Sequence, residues 1–380
     1  MDQKQENRLE ETRLEETRLG ETRLGGIQLE KLLTAIRRGY PIEPIIESEP
    51  FCTLLQHGDI KLGTKIGEGT YGEVFLLIKS EHGHIAIDTV IKRVYDPQPS
   101  TCITKHDNIF CTSEINEALI GTVLSGFNNV GIPFFLRYFA YFTCGNDQAY
   151  LLSERAHGSL YQLMNDHIDL AWRCNGAIFF QIFYALMIAQ KCLRFTHYDL
   201  KPDNILLYRL TPGDPTIPAR YFDDVWHYRV HGRDYYVPNP GFIIKISDFS
   251  WSRVDNPVGG LIAQEIAPES RDHRDRAVGI THWYTPLYDI MMYTHPDVSG
   301  EYTTVAREFL ENKYGLHYTD KCRITQERRR NPTIRKHLTL EVEDFFDELF
   351  EYYRNEEVVR AVARQLDRTQ ICETIFGPIS

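Results

Sequence analysis

No two of the eight cysteines stand as a C-x-x-C pair, which removes a zinc ribbon or a thioredoxin-type redox site from consideration. Cysteines scattered singly through a large acidic chain are expected to be reduced core thiols of a cytoplasmic or nuclear protein. No apolar run reaches the ~20 residues that cross a bilayer. The most apolar stretch, Ala177 to Ala189, is interrupted by Gln181. The opening MDQKQENRLEE has no apolar segment, so no secretory signal is expected. Excess positive charge is also missing. Lys and Arg number 42 against 53 Asp and Glu, a net charge of -11. Neither nucleic acid nor an anionic membrane is therefore an expected partner, although a local basic groove for a phosphate ligand is still allowed. With 42% hydrophobic and 25% charged residues, the composition is that of an ordinary globular chain and not of a disordered or collagen-like one.

The organisation along the chain is uneven. Residues 7–26 repeat every five residues as NRLEE, TRLEE, TRLGE and TRLGG. At ~100° per helical residue, successive leucines are ~140° apart and make no stripe, so residues 1–26 read as a charged, disordered tail. Residues 27–58 read as an amphipathic helix, IQLEKLLTAIRR, followed by a proline-broken linker. From Ile60 to Val94 alternating apolar and β-branched residues predict strands. EINEALIGTVL, from Glu114 to Leu124, predicts a helix. FLRYFAYF and AYLLS return to strand character across the Gly145-Asn146-Asp147 turn. Beyond about residue 155 the chain reads as mostly helical. Residues 211–240, rich in Pro, Gly, Asp and aromatics, read as an inserted loop or hairpin on the surface.

Three glycines in IGEGTYGEVF, namely Gly67, Gly69 and Gly72, are spaced G-x-G-x-x-G. Dinucleotide-binding loops share that spacing. Here the glycines lie between two strand-like runs, as in a hairpin whose backbone N–H groups can approach phosphates unobstructed. Lys92 ends the apolar triplet Val90-Ile91-Lys92 on the next strand. Lysine is rarely buried unpaired, so a polyphosphate and a carboxylate are expected beside it. Glu117 is the favoured carboxylate and Glu114 the alternative.

His197 to Asn204 reads HYDLKPDN, and further on IKISDFS carries Asp248-Phe249. Over about residues 60–345, with these motifs in order, the chain resembles the protein kinase superfamily, serine/threonine branch. Its long insertion and divergent second half are similar to the protein kinases of large DNA viruses. The resemblance implies an α+β bilobal fold: a small antiparallel sheet with one helix over residues 59–154, and a larger helical lobe over 155–380. It also implies ATP and Mg2+ as cofactors and a protein substrate with a serine or threonine acceptor. By resemblance, the backbone of Gly67, Glu68, Gly69, Thr70, Tyr71, Gly72 and Glu73 covers the ATP phosphates, with Ile66 and Val74 against the adenine. Lys92 holds the α- and β-phosphates and pairs with Glu117. Asp199 accepts the substrate proton, Lys201 neutralises the γ-phosphate, and Asn204 and Asp248 hold the metal. Ser153 to Ala156 would form the hinge. The lysine two residues after Asp199 favours serine/threonine over tyrosine acceptors.

Three positions depart from the family pattern. Tyr198 replaces an arginine that pairs with a phosphorylated activation segment, Ser250 replaces the glycine after Asp248-Phe249, and residues 211–240 lengthen the span between the two aspartates. Ala267-Pro268-Glu269 is a candidate segment anchor with Arg335 its partner. Asp289 is the candidate cap of the catalytic loop, and RDHRDR (271–276) reads as a solvated charge run. The rival functions are a nucleotide-binding scaffold without turnover and a small-molecule phosphotransferase.

Overall fold

The computed structural model describes residues 60–69, 72–79, 89–95, 102–105, 108–111, 113–144, 148–256, 260–264 and 340–377, together with isolated positions such as Cys52, Leu55, Pro286 and 288–290. The tail 1–26, the helix expected from Ile27, the Gly145–Asp147 turn, Glu269, residues 271–276 and Arg335 lie outside the described residues, as do Thr70 and Tyr71.

Strands β1 (Ile60–Gly69), β2 (Gly72–Lys79), β3 (Thr89–Val94), β6 (Tyr138–Cys144) and β7 (Gln148–Glu154) form an antiparallel sheet in the order β1-β2-β3-β7-β6. Its register places Gly67 beside Val74, Val74 beside Lys92 and Lys92 beside Leu151. One residue along, Glu68, Glu73, Arg93 and Tyr150 are neighbours. Successive side chains of a strand point to opposite faces. One face therefore carries Val74 and Lys92, and the other carries the ionic group Lys65, Glu68, Glu73 and Arg93.

The helix expected from Glu114 to Leu124 runs from Ser113 to Asn129 and is called α1. Residues Glu114 to Gly121 are buried on every side, so its polar residues need partners. Before it, β4 (Cys102–Lys105) and β5 (Asn108–Cys111) form a hairpin. Strand β5 pairs in parallel with β14 (Gly260–Gln264), which pairs with β13 (Arg253–Asn256). This four-stranded sheet ties the chain before α1 to the chain after Asp248.

The rest is built around α3 (Ile168–Leu193), preceded by α2 (Leu160–Asp166). Ser159 and Gln162 close a capping box at the start of α2, satisfying otherwise orphan backbone donors. At 26 residues α3 is long and apolar enough to cross a membrane by length and composition, but two-thirds of that window is buried within the protein. Phe180 packs against Tyr228, Tyr235, Phe346 and Phe350, and Gln181 Oε1 accepts from the Ile244 N–H. It is a core helix. Around it lie a three-stranded sheet of β8 (Gly158–Ser159), β9 (Ile205–Arg209) and β12 (Phe242–Ile246), and short helices α4 (Phe346–Leu349), α5 (Glu356–Ala363) and α6 (Arg368–Phe376). The architecture is α+β, with an antiparallel sheet of five strands and several helices, and is compatible with a bilobal protein kinase fold.

Two expectations are corrected. Residues 211–240 are not a surface appendage. They contain the hairpin β10 (Val225–Val230) and β11 (Arg233–Pro238), and Tyr221, Trp226, Tyr228, Tyr235 and Val237 belong to the main hydrophobic core. Their aromatic richness reflects burial against α3. The cysteines are not all free thiols: Cys52 and Cys144 form a disulfide. Cys52 sits with Ile91, Ala140, Phe142 and Leu152 in a second, smaller apolar cluster. Cys174, Cys192 and Cys372 are free.

Candidate active site

Strand β3 delivers Lys92 and helix α1 delivers Glu117. The Lys92 Nζ lies 2.8 Å from Glu117 Oε2, so Lys92 is paired with Glu117 and not with Glu114. Burial works to lower the Lys92 pKa, but the charges of Glu117 and Asp248 outweigh it and hold the ammonium well above its ordinary value. Burial raises Glu117, with Lys92 pulling it down.

Tyr138, at the start of β6, completes this corner. Its hydroxyl donates to Glu117 Oε1 at 3.0 Å and accepts from the Asp248 N–H at 3.4 Å. No local pattern in the sequence singled out this residue. The ring fits only because position 121 is glycine. A Cβ there would stand 2.5 Å from one ring atom of Tyr138 and 2.8 Å from two others. Gly121→Ala is expected to lower stability by about 1–3 kcal/mol through overpacking, more than offsetting the ~1 kcal/mol that alanine contributes to a helix. Chemical denaturation of the two proteins checks this, and equal stabilities would mean that Tyr138 yields freely.

The catalytic-loop candidates converge on Asp199. Its Oδ2 accepts from Lys201 Nζ at 2.8 Å and from Asn204 Nδ2 at 3.0 Å, and Asn204 Nδ2 also reaches the Asp199 carbonyl at 2.8 Å. Burial works against the Lys201 charge, yet the bond to Asp199 raises its pKa overall. Asn204 closes a single 3-10 turn, Pro202–Asn204, just before β9. Because Ile205 faces Ile246 in the β9–β12 ladder, Asn204 comes opposite Ser247. The Ser247 N–H donates to the Asn204 carbonyl at 2.9 Å, and Asp248 is the next residue.

Asp248 has φ +61°, a left-handed conformation that non-glycine residues hold only when their surroundings enforce it. Ser250 Oγ donates to Asp248 Oδ1 at 2.8 Å. Burial works to raise the Asp248 pKa, but Lys92 and that hydroxyl outweigh it and lower the pKa overall. Serine after Asp248-Phe249 is thus accommodated because the left-handed residue is Asp248.

Under the loop, Asp289 is fully buried. Its carboxylate accepts from the His197 N–H at 2.8 and 3.0 Å and from the Tyr198 N–H at 2.9 Å. Burial pushes its pKa up to about 7 against those bonds. His197 Nε2 lies 2.9 Å from the Ser247 carbonyl. A carbonyl only accepts, so Nε2 carries the proton and Nδ1 receives the Asp199 N–H at 3.3 Å. Burial lowers the His197 pKa, which favours this neutral form. Tyr198, where an arginine was the family expectation, is buried with its ring edge-on to Tyr288 at 5.0 Å. Phe249 packs between Tyr138 and His197.

The glycine hairpin separates into two cases. At Gly72 a Cβ would meet the Arg93 carbonyl oxygen at 2.4 Å, so the sheet itself requires glycine. Among the described residues, a Cβ at Gly67 would touch only Val74, at an ordinary 3.7 Å. Packing among the described residues does not demand glycine there. Ile66 is 47% exposed. Glu68 and Glu73 turn to the opposite face, toward Lys65 and Arg93; only their backbone can serve a ligand under the hairpin.

The strand end expected as a hinge carries a buried ion pair. Glu154 Oε1 lies 2.7 Å from Lys245 Nζ and accepts from the Arg137 N–H at 2.8 Å. Lys245 lies on β12, three residues before Asp248, with its ammonium over the Tyr208 ring. Burial lowers its pKa despite Glu154. Lys245→Met leaves Glu154 buried without its counter-charge and is expected to cost about 3–5 kcal/mol. Urea unfolding measures this, and a cost below ~1 kcal/mol would show that water replaces the ammonium.

The fold is compatible with that of a protein kinase-like chain. Among curated proteins, the serine/threonine-protein kinase haspin of Bos taurus is 24% identical over 340 residues. The match covers 80% of this chain, which spans 40% of the relative's length. No protein-family model matches the chain.

Proposed function

We propose that the chain is an ATP-dependent protein kinase that phosphorylates serine or threonine hydroxyls. The observation that carries this reading is the Asp199 carboxylate held by Lys201 and Asn204, one residue beyond the loop that Asp289 anchors. A carboxylate so placed can orient an acceptor hydroxyl and take its proton, while the adjacent ammonium neutralises charge on the transferring phosphoryl group.

The backbone at Gly67, uncrowded by the described residues, fits a phosphate chain beneath the hairpin, and Lys92, kept charged by Glu117, fits its α- and β-phosphates. Asn204 spends its amide nitrogen on Asp199 and Asp248 engages Oδ1 with Ser250, leaving Asn204 Oδ1 and Asp248 Oδ2 available among the described residues. Two hard oxygen donors, completed by phosphates and water, suit Mg2+. Bound there, the metal would supply charge neutralisation between the phosphates. Lys201 beside Asp199, together with the likeness to a serine/threonine-protein kinase, supports the acceptor class.

The test is transfer of labelled γ-phosphate to generic protein acceptors, followed by identification of the phosphorylated residue. Phosphoserine or phosphothreonine is expected. Mg-ATP binding without transfer would instead identify a nucleotide-binding scaffold, and transfer only to small molecules would identify a different phosphotransferase.

A further inference from the structure

The side chain of Asn116 is fully buried, and its Nδ2 lies 3.2, 3.0 and 2.9 Å from the carbonyl oxygens of Phe249, Ser250 and Ser252. An amide group has two hydrogens, so three carbonyls share them. The three acceptors fix the orientation of the amide, and Oδ1 has no protein partner among the described residues. Four nearby positions of α1 are apolar and buried, Ile115, Ala118, Leu119 and Ile120. An apolar residue would fill this site without burying an unpaired oxygen. The amide is therefore committed to the segment that follows Asp248.

Its place in the chain gives this bond a consequence. Asn116 immediately precedes Glu117, only ~1.5 Å away along the helix axis. A movement of α1 that separates Glu117 from Lys92 also pulls Asn116 from the carbonyls. Conversely, release of Asp248 from its left-handed conformation moves Phe249 and Ser250 away from Asn116. The Ser252 N–H closes a turn onto the Phe249 carbonyl at 3.0 Å, so all three acceptor residues belong to one compact unit.

We infer that Asn116 is a positioning residue that bolts helix α1 to the segment bearing Asp248, so that the Lys92–Glu117 pair and the Asp248 carboxylate reach the nucleotide as one body. The inference rests on the kinase reading for its catalytic consequence, but the bolt itself is a property of the protein alone.

Amide hydrogen exchange tests the bolt without nucleotide. In Asn116→Ala, exchange of the Ser252 and Arg253 amides is expected to accelerate by about tenfold or more, the effect of losing one buried hydrogen bond, while amides of β12 and α3 keep their wild-type protection. Asn116→Ser retains a single donor and should fall between. Unchanged exchange at Ser252 and Arg253 in either folded variant overturns the inference. If neither variant folds, wild type decides: amides of α1 and of 250–253 should open with the same free energy, and protection differing by more than about tenfold overturns the bolt. With Mg2+ titrated at saturating ATP, the half-maximal concentration for phosphoryl transfer should rise about tenfold in Asn116→Ala, an effect that mere loss of folded protein does not produce. Altered exchange in a chain whose wild type transfers no phosphate would retire the kinase reading and leave the bolt standing.

Discussion

Asp199→Asn is expected to lower phosphoryl transfer by about a thousandfold, within the range attributed to a positioned general base and its charge. The substitution keeps the shape of the side chain. It removes the negative charge that Lys201 faces, and it puts an amide where Asp199 Oδ2 now accepts from Lys201 and Asn204. An amide oxygen in the place of Oδ2 can still accept both bonds, but the N–H₂ group then stands where the second carboxylate oxygen was, and it can only donate and cannot take a proton from a hydroxyl. Asp289 still holds the His197 and Tyr198 amides, so the loop should keep its course. Melting should shift by only a few degrees, and Mg-ATP should still raise the melting temperature. A variant that transfers phosphate within tenfold of wild type would remove Asp199 from the chemistry.

Lys92→Met should lower transfer by about 10²–10³-fold, the effect of removing one preorganised positive group from a charged transition state. It should weaken ATP binding as well. This substitution also has a signature in stability. Lys92 stands between Glu117 and Asp248 and lowers the pKa of each. Without it, burial raises Glu117 further. A carboxyl whose folded pKa lies above its unfolded value binds more protons in the native state, so stability is lost as pH rises through that folded pKa. The stability deficit of Lys92→Met relative to wild type should therefore be larger at pH 8 than at pH 5. Melting curves at both values check the sign, and a deficit independent of pH would mean that Glu117 stays ionised without its partner.

The candidate catalytic groups were legible because each lies in a short string whose spacing is set by local geometry. Asp199, Lys201 and Asn204 fall within six residues, and the turn Pro202–Asn204 brings them together with little help from elsewhere. Lys92 could be singled out because a lysine closing an apolar strand triplet demands a partner. Its choice between Glu114 and Glu117 could not be settled by helical spacing, since both lie on α1. The packing of α1 against the sheet turns Glu117 toward Lys92. Tyr138 and Asn116 gave no signal: an isolated tyrosine in a strand and an isolated asparagine in a helix look like ordinary residues until their neighbours are known. The aromatic run of 211–240 was misplaced for the opposite reason. Proline, glycine and aspartate there mark turns, and turns suggest a surface, but the β10–β11 hairpin is long enough to press its aromatic side chains onto α3.

By itself the sequence determined the α+β class, strands on either side of α1, and which residues are candidates for handling phosphate. These follow from hydrophobic period, from glycine and proline, and from charged residues in strings too short for the chain to separate. Only the tertiary structure decided which of those groups touch. It paired Lys92 with Glu117, joined Glu117 to Asp248 through Tyr138, set Asp289 beneath the His197 and Tyr198 amides, linked Cys52 to Cys144, and laid β14 alongside β5. The partners in these contacts are separated by as many as 153 residues, between Ile109 and Ile262. Across such distances local preference carries no information. Pairing is then settled by burial, which leaves a polar group in the core only where another group, brought from elsewhere in the chain, can satisfy it.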